Sequence, residues 1–148
     1  MQASNKYIEA LKDIDFIQAS ELSLRTNFEN YINEFIDEAN LQKFNVLHEG
    51  KRISSFGVPD FRISFNDMMV GYIETKNITE NLDKILKTEQ IKKYRELSNN
   101  LIITNYLEFI WLKDDIILRE TLCYLSDLEN KKFKLDSQKA ENVEKLFN

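Results

Sequence analysis

The fold of this chain is decided by the stretch Gly57-Val58-Pro59-Asp60-Phe61-Arg62-Ile63 and, after a short turn, by Gly71-Tyr72-Ile73-Glu74-Thr75-Lys76. Residues 58–65 alternate between two side-chain faces, and the turn signal Asn66-Asp67 separates them from a second apolar run, so the sequence predicts a β-hairpin over 58–76. Side chains alternate along a strand, which places Glu74 and Lys76 on one face, and the hairpin register can bring Asp60 alongside them.

Two carboxylates and a lysine on neighbouring strands suit a divalent cation and a phosphate. The oxygens of Asp60 and Glu74 are hard ligands of the kind that Mg²⁺ or Mn²⁺ takes. A bound metal lowers the pKa of water, and Lys76 beside it can orient that water or stabilise developing charge. Pro59 removes a ladder donor and predicts an edge, bulge or bend just before Asp60. The alternative is a solvated hairpin whose charges form a weak ion pair.

The rest of the chain alternates helical and extended patterns. Helices are predicted over residues 7–17, over 20–39 with Ser20 as N-cap, over 78–97 with a break near Thr88, and from Asp136 or Ser137 to the end. Strands are predicted over 44–48, 101–104, 108–112 and 116–124, with a polar loop over 49–56. This order predicts an α/β domain in which helices flank one central mixed β-sheet.

Two helices add polar side chains to the hairpin residues. Glu21 lies at the end of the apolar stripe of the 20–39 helix, where it can point into the site as a further metal or water ligand. Its alternative role is that of a first-turn acid on the helix dipole. Gln90 and Tyr94 are four residues apart on one helix face, and with Lys93 they can hydrogen-bond a phosphate. The alternative places Tyr94 in the core with Gln90 merely flanking it.

Composition limits the class of protein. At 148 residues with 43% hydrophobic and 30% charged residues, the chain fits one globular domain with a core. The single cysteine, Cys123, cannot form an internal disulfide, and the single histidine, His48, makes a nucleophilic triad hard to build. No apolar run is long enough to cross a bilayer or to form a signal-peptide centre, so the expected location is the cytoplasm.

Pro59-Asp60 with Glu74-Thr75-Lys76 resembles the motif of the PD-(D/E)xK nuclease superfamily. Gln90 and Tyr94 resemble the Q-x-x-x-Y feature of its RecB-like members. Further stretches resemble the N-terminal nuclease domain of type IIG restriction–modification enzymes: Glu21-Leu22-Ser23-Leu24-Arg25, Asn81-Leu82-Asp83-Lys84-Ile85-Leu86, and residues 98–109. The resemblance extends over residues 20–112.

The resemblance implies a restriction-endonuclease-like fold and a Mg²⁺-dependent endonuclease that hydrolyses phosphodiester bonds of double-stranded DNA, with Mn²⁺ able to substitute. It makes Asp60 and Glu74 metal ligands, Glu21 a further acid for the metal, and Lys76 the water-positioning base or charge stabiliser. It also implies that the substrate is bound by Gln90, Lys93 and Tyr94.

In the type IIG enzymes a methyltransferase and a target-recognition domain follow the nuclease. Residues 1–148 are therefore expected to be a single endonuclease-like domain of a longer prokaryotic restriction–modification protein used in phage defence, and two copies are expected to meet transiently for double-strand cleavage. The alternatives are a free-standing RecB-like nuclease of repair or defence, and an inactive nuclease-derived binding module.

The charge distribution bears on how DNA reaches the domain. The net charge is −5, and residues 1–42 carry eight acidic and three basic side chains, whereas residues 77–95 carry five basic and three acidic ones. Because phosphate contacts supply most non-specific affinity for DNA, a domain that binds DNA tightly by itself is expected to be basic. We therefore expect another domain to deliver the DNA.

Overall fold

Six strands pair in chain order into one sheet, and helices cover both of its faces. The structure is a computed structural model that describes residues 2–14, 21–48, 59–130 and 132–147, without the side chains of Glu21, Leu22 and His48. Its elements are α1 (Gln2–Lys12), α2 (Glu21–Glu38), β1 (Phe44–His48), β2 (Phe61–Phe65), β3 (Met68–Thr75), α3 (Leu82–Ile85), α4 (Glu89–Leu97), β4 (Asn100–Thr104), β5 (Glu108–Lys113), β6 (Ile116–Thr121), α5 (Leu125–Leu128) and α6 (Ser137–Phe147).

The sheet consists of two antiparallel three-stranded halves joined by one parallel pair. Strands β1, β2 and β3 pair antiparallel, as do β4, β5 and β6, while β3 and β4 run parallel with Glu74 opposite Ile103. Parallel strands need a crossover, which α3 and α4 supply here. The predicted class, an α/β domain with a central mixed sheet flanked by helices, is confirmed.

The larger core lies between one face of the sheet and the helices α1, α2, α5 and α6. Phe28 of α2 is completely buried at its centre, with its ring 5.6 Å from that of Phe61, 6.0 Å from Tyr106 and 6.2 Å from Phe109. The apolar stripe predicted for α2 is buried, which confirms the helix; its buried members are Leu24, Phe28, Tyr31, Ile32, Phe35 and Ile36. Because α2 packs on the sheet along its length, its first turns are held near the start of β2.

The smaller core lies on the opposite face, beneath α3 and α4. Leu82, Ile91 and Tyr94 pack there against apolar side chains of β4 and β5. Ile73 belongs to the larger core, and successive strand residues alternate faces, so Glu74 projects toward α4. The smaller core thus fixes α4 above the end of β3.

Strand β2 begins later than the sequence predicts. The expected strand over 58–65 starts at Phe61, so Asp60 precedes the strand rather than lying within it; residues 57 and 58 lie outside the described part of the chain. The reason is that the N–H of Asp60 donates to the side chain of Glu74 instead of a strand carbonyl. The bend expected next to Pro59 is present at Asp60.

Other predicted boundaries also shift. The first helix covers Gln2–Lys12, so it begins earlier than the predicted range 7–17 and ends at Lys12. Residues 15–17 of that range, the predicted N-cap Ser20 and the loop over 49–56 lie outside the described residues. The break near Thr88 is confirmed, since its hydroxyl accepts a hydrogen bond from the N–H of Ile91 and caps α4. The predicted strand over 116–124 ends at Thr121, because the N–H of Leu122 donates to Leu107 outside the ladder.

The helix predicted over 78–97 begins only at Leu82, after a turn in which Asn81 caps α3. The C-terminal helix begins at Ser137, as predicted. In the ranges that the structure describes, no helix is both long enough and apolar enough to cross a membrane.

Candidate active site

Asp60 is held at the point where β2 begins and β3 ends. Its Oδ2 accepts two hydrogen bonds from Thr75, one from the backbone N–H at 2.9 Å and one from Oγ1 at 2.6 Å. Its Oδ1 forms an ion pair with Nη2 of Arg25 at 2.9 Å. Thr75 is the residue between Glu74 and Lys76, so its side chain points to the opposite face of β3, where its hydroxyl contacts Asp60. The carboxylate of Asp60 is therefore fixed from two elements, β3 and α2.

Glu74 is a buried carboxyl that lies against both other members of the predicted triad. It is 4% exposed, its Oε1 accepts from the N–H of Asp60 at 3.2 Å, and its Oε2 pairs with Nζ of Lys76 at 3.1 Å. Burial raises the pKa of Glu74 to about 7, and the negative charge of Asp60 acts in the same direction, while Lys76 opposes both. The two acids are thus each paired with one cationic side chain, Asp60 with Arg25 and Glu74 with Lys76.

Lys76 is held in place from both ends. Its backbone N–H donates to the carbonyl of Thr104 at 2.8 Å, which extends the parallel pairing beyond β3. Its Nζ donates to Oε1 of Gln90 at 2.6 Å in addition to the ion pair with Glu74. Nε2 of Gln90 in turn donates to Oη of Tyr94 at 3.0 Å. The ammonium group is thus oriented by a carboxylate below it and by a helical amide above it.

Tyr94 closes this chain of contacts from the core side. Its side chain is buried in the smaller core, and burial raises its pKa to about 12, with the charges of Glu74 and Asp60 acting in the same direction. The phenol therefore stays protonated and accepts from Gln90 without adding charge. Gln90 and Tyr94 do share one helix face, as the sequence predicts, and the partner that the structure gives Gln90 is Lys76.

The end of β4 forms the floor beneath the site. Thr104, paired with Thr75, is completely buried; its hydroxyl donates to the carbonyl of Glu108 at 2.7 Å and accepts from the N–H of Tyr106 at 2.9 Å. The phenol of Tyr7 donates to the carbonyl of Tyr106 at 2.7 Å. These buried bonds hold the turn after β4 against α1, so the strand end that receives the N–H of Lys76 is well supported.

Sequence reasoning missed Arg25 and Thr75 as site residues. Arg25 appears in the sequence only as the last residue of the stretch that begins at Glu21, four residues earlier on the same helix. That spacing was the available signal, because residues four apart share a helix face. Thr75 was available as the central residue of the Glu-x-Lys element.

The structure brings Asp60, Glu74, Lys76, Gln90 and Tyr94 together. The expected roles of the other two site residues, Glu21 and Lys93, stay predictions. Glu21 is the first residue of α2, one turn before Arg25, and its side chain lies outside the described part of the structure. Lys93 is exposed on α4. The metal-ligand and substrate-binding roles of all these residues remain predictions.

The donor set is compatible with a hard divalent cation. Among the side chains that the structure describes, no cluster of three or more His, Cys, Asp or Glu residues could by itself hold a metal ion. Asp60 and Glu74 supply two carboxylates. Burial and, to a smaller extent, the charge of Asp60 raise the pKa of Glu74, and a bound divalent cation would oppose both effects. Oxygen donors of this kind fit Mg²⁺ or Mn²⁺.

Comparison with known proteins supports the fold. No protein-family model matches the chain, and no curated protein matches its sequence. A solved cryoEM structure of a DrdV–DNA complex is similar to it, with a TM-score of 0.67 and 19% sequence identity. The match covers 99% of this chain and 13% of the DrdV chain. This likeness supports the α/β fold predicted from the sequence, in which helices flank a central mixed sheet. The chain spans 13% of the length of the DrdV chain that it matches.

Proposed function

We propose that this chain is a metal-dependent endodeoxyribonuclease domain, with Asp60, Glu74 and Lys76 as its catalytic residues. The observation that carries the proposal is the position of Nζ of Lys76, 3.1 Å from Glu74 and 2.6 Å from Gln90, while the other oxygen of Glu74 accepts from Asp60. A solvated hairpin, the alternative for this triplet, would leave these side chains exposed, whereas Glu74 is buried. A buried acid paired with an oriented lysine suits catalysis better than surface charge does.

Each residue has a role that follows from its contacts. Asp60 and Glu74 would hold Mg²⁺, which when bound supplies Lewis-acid stabilisation and a more acidic water. Lys76, held by Glu74 and Gln90, places its ammonium group where it can orient the attacking water and stabilise charge on the phosphate oxygens. In the hydrolysis the attacking water gives up a proton as its oxygen bonds to phosphorus, the phosphorus–oxygen bond to the leaving sugar breaks, and that sugar oxygen takes up a proton.

Double-stranded DNA is the proposed substrate. The structural neighbour is a complex with DNA, and α4, which lies beside Lys76, carries Lys92, Lys93 and Arg95. Because the whole chain has a net charge of −5, we propose that the domain acts within a longer, type IIG-like restriction–modification protein whose other parts deliver the DNA. That the match covers 13% of the neighbour's chain supports this arrangement.

The further partners follow from the same proposal. They are a methyltransferase and a target-recognition domain in the same longer chain, and a second copy that meets the first transiently to cut both strands. The proposed setting is the cytoplasm of a prokaryote, in phage defence.

The test is plasmid cleavage in Mg²⁺ or Mn²⁺ by the wild-type chain, alone and fused to a sequence-specific DNA-binding domain. Glu74→Ala and Lys76→Ala should abolish cleavage. Glu141→Ala and Lys145→Ala are matched controls, because these residues form an exposed ion pair on α6, and they should cut like wild type. If the fused wild-type protein cleaves DNA neither in Mg²⁺ nor in Mn²⁺, the proposal is refuted.

The same assay separates the alternatives. A free-standing RecB-like nuclease would cut DNA without the fusion partner and without sequence preference, whereas the type IIG-like module should cut well only when fused. An inactive binding module would bind DNA or protein partners and cut under neither condition.

A further inference from the structure

Arg25 occupies the oxygen of Asp60 that a cation would need. Nη2 of Arg25 lies 2.9 Å from Oδ1, while Oδ2 already accepts two hydrogen bonds from Thr75. The side chains of Arg25 and Asp60 are only 19% and 17% exposed, so this is a largely buried contact and not a loose surface pair. Oδ1 is therefore the oxygen of Asp60 with the greater remaining capacity to bind a ligand.

An arginine in this position has two suitable partners within the same site. Its planar guanidinium matches a carboxylate and a phosphate equally well, and it keeps its charge at every physiological pH. Under the proposed function, the phosphate of the substrate must approach the Asp60–Glu74 pair closely. Arg25 comes from α2 and pairs with Oδ1, whereas Thr75 contacts Oδ2, so turning away from Oδ1 leaves the Thr75 contacts intact.

We propose that Arg25 is a resident counter-cation of Asp60, which leaves Oδ1 when a divalent ion is bound there and then contacts a phosphate oxygen of the DNA. This inference rests on the proposed function, because it requires the metal site at Asp60 and Glu74. It assigns Arg25 to substrate binding and to the coupling between metal and DNA.

The proposal predicts that replacing Arg25 strengthens the binding of Mn²⁺ and weakens the binding of DNA. Removing the guanidinium frees Oδ1, so Arg25→Gln should bind Mn²⁺ about tenfold more tightly than wild type, the factor expected for loss of one competing charged hydrogen bond. The same variant should bind DNA about tenfold more weakly in Ca²⁺, because one phosphate contact is lost. In EDTA, where Arg25 remains on Asp60, DNA affinity should not change.

The experiment titrates Mn²⁺ into chelator-treated protein by calorimetry and measures DNA binding by fluorescence anisotropy in Ca²⁺ and in EDTA. Wild type, Arg25→Gln, Arg25→Lys and the remote control Lys145→Gln are compared, with melting curves to verify folding. Arg25→Lys keeps the charge without the planar fork, so its Mn²⁺ affinity should fall between those of wild type and Arg25→Gln. If Arg25→Gln fails to fold, Arg25→Lys decides the question.

The outcomes separate this inference from the proposed function. If wild type binds no Mn²⁺, or binds it unchanged after Glu74→Gln, the metal site itself is wrong. If wild type binds Mn²⁺ through Glu74 but the Arg25 variants bind it with wild-type affinity, Arg25 does not compete and this inference alone fails. Equal DNA affinity of wild type and Arg25→Gln in Ca²⁺ overturns the phosphate contact. If Arg25 had a purely structural role, its replacement would weaken the binding of both Mn²⁺ and DNA.

Discussion

The backbone N–H of Asp60 donates to the buried carboxylate of Glu74 across 3.2 Å, so the main chain of one proposed metal ligand helps to hold the side chain of the other. This contact explains why Asp60 leaves the strand pattern, and it brings the two acids close enough for their charges to interact. The acidity of Glu74 can be measured without metal or DNA.

Glu74→Gln should stabilise the chelator-treated protein at pH 8 and have a much smaller effect at pH 5. In the folded state the pKa of Glu74 is raised to about 7, mainly by burial, from an ordinary value of 4.5. Between these values the folded state binds a proton that the unfolded state has released, so stability falls as pH rises toward 7. The loss is complete above that pH and is on the order of 3 kcal/mol.

Urea unfolding in EDTA at the two pH values measures this difference. The exposed Glu141→Gln is the control and should show no pH-dependent gain. An equal effect of Glu74→Gln at pH 5 and pH 8 would mean that Glu74 titrates normally in the folded protein.

The sequence alone was sufficient for the local part of the site. Side chains alternate along β3, so the shared face of Glu74 and Lys76 was predictable, and their 3.1 Å contact agrees with it. The helix face shared by Gln90 and Tyr94 was predictable for the same reason, because helical periodicity is a local property.

The contacts of Asp60 were not predictable in the same way. The ion pair with Arg25 joins residues 35 positions apart in the chain and depends on how α2 lies over the start of β2. Alternation placed Asp60 within a strand, but hydrogen bonds to Thr75 and Glu74 hold it outside the ladder. Tertiary packing, which periodicity does not encode, decided both features.

Thr75→Val should destabilise the protein more than Thr75→Ser does. The hydroxyl of the buried Thr75 donates to Oδ2 of Asp60 at 2.6 Å, and valine keeps the shape of the side chain without the donor. Losing a hydrogen bond to a charged group costs roughly 1.5–3 kcal/mol, whereas serine keeps the hydroxyl and loses one methyl group, about 1 kcal/mol. Urea unfolding at pH 7 measures both; a valine variant as stable as wild type would show that the Asp60–Thr75 bond contributes no net stability.

Gly71→Ala should destabilise the sheet near the middle of β3, three residues before Glu74. A Cβ at this buried position would lie 2.8 Å from Nδ2 and 3.0 Å from the carbonyl oxygen of Asn100 on the neighbouring strand. Overpacking of this kind costs roughly 1–3 kcal/mol. Because the nearer atom belongs to a side chain, the cost should be smaller in an Asn100→Ala background, and a double-mutant cycle of urea unfolding measures that difference. Strictly additive costs would exclude the side-chain clash.

Gln90→Ala should lower kcat for DNA cleavage with little change in KM. Oε1 of Gln90 lies 2.6 Å from Nζ of Lys76, so its removal takes away one of the two contacts that orient the ammonium group, while the charge and the ion pair with Glu74 stay in place. The expected loss is roughly tenfold to a hundredfold, the range for groups that orient a functional side chain at a metal site. Steady-state cleavage kinetics of the DNA-binding fusion protein provide both constants.

The same kinetics distinguish two roles for Gln90. If it contacts the phosphate of the substrate, as the sequence predicts, Gln90→Ala should raise KM while kcat stays constant, because binding in the ground state and in the transition state is then lost equally. If it positions Lys76, kcat falls and KM is steady. Tyr94→Phe is a second probe, because it removes only the phenol oxygen that accepts from Gln90. It should change the same kinetic constant as Gln90→Ala, in the same direction and by a smaller factor. An unchanged kcat in Gln90→Ala would rule out the positioning role, since Lys76 would then be oriented equally well by Glu74 alone.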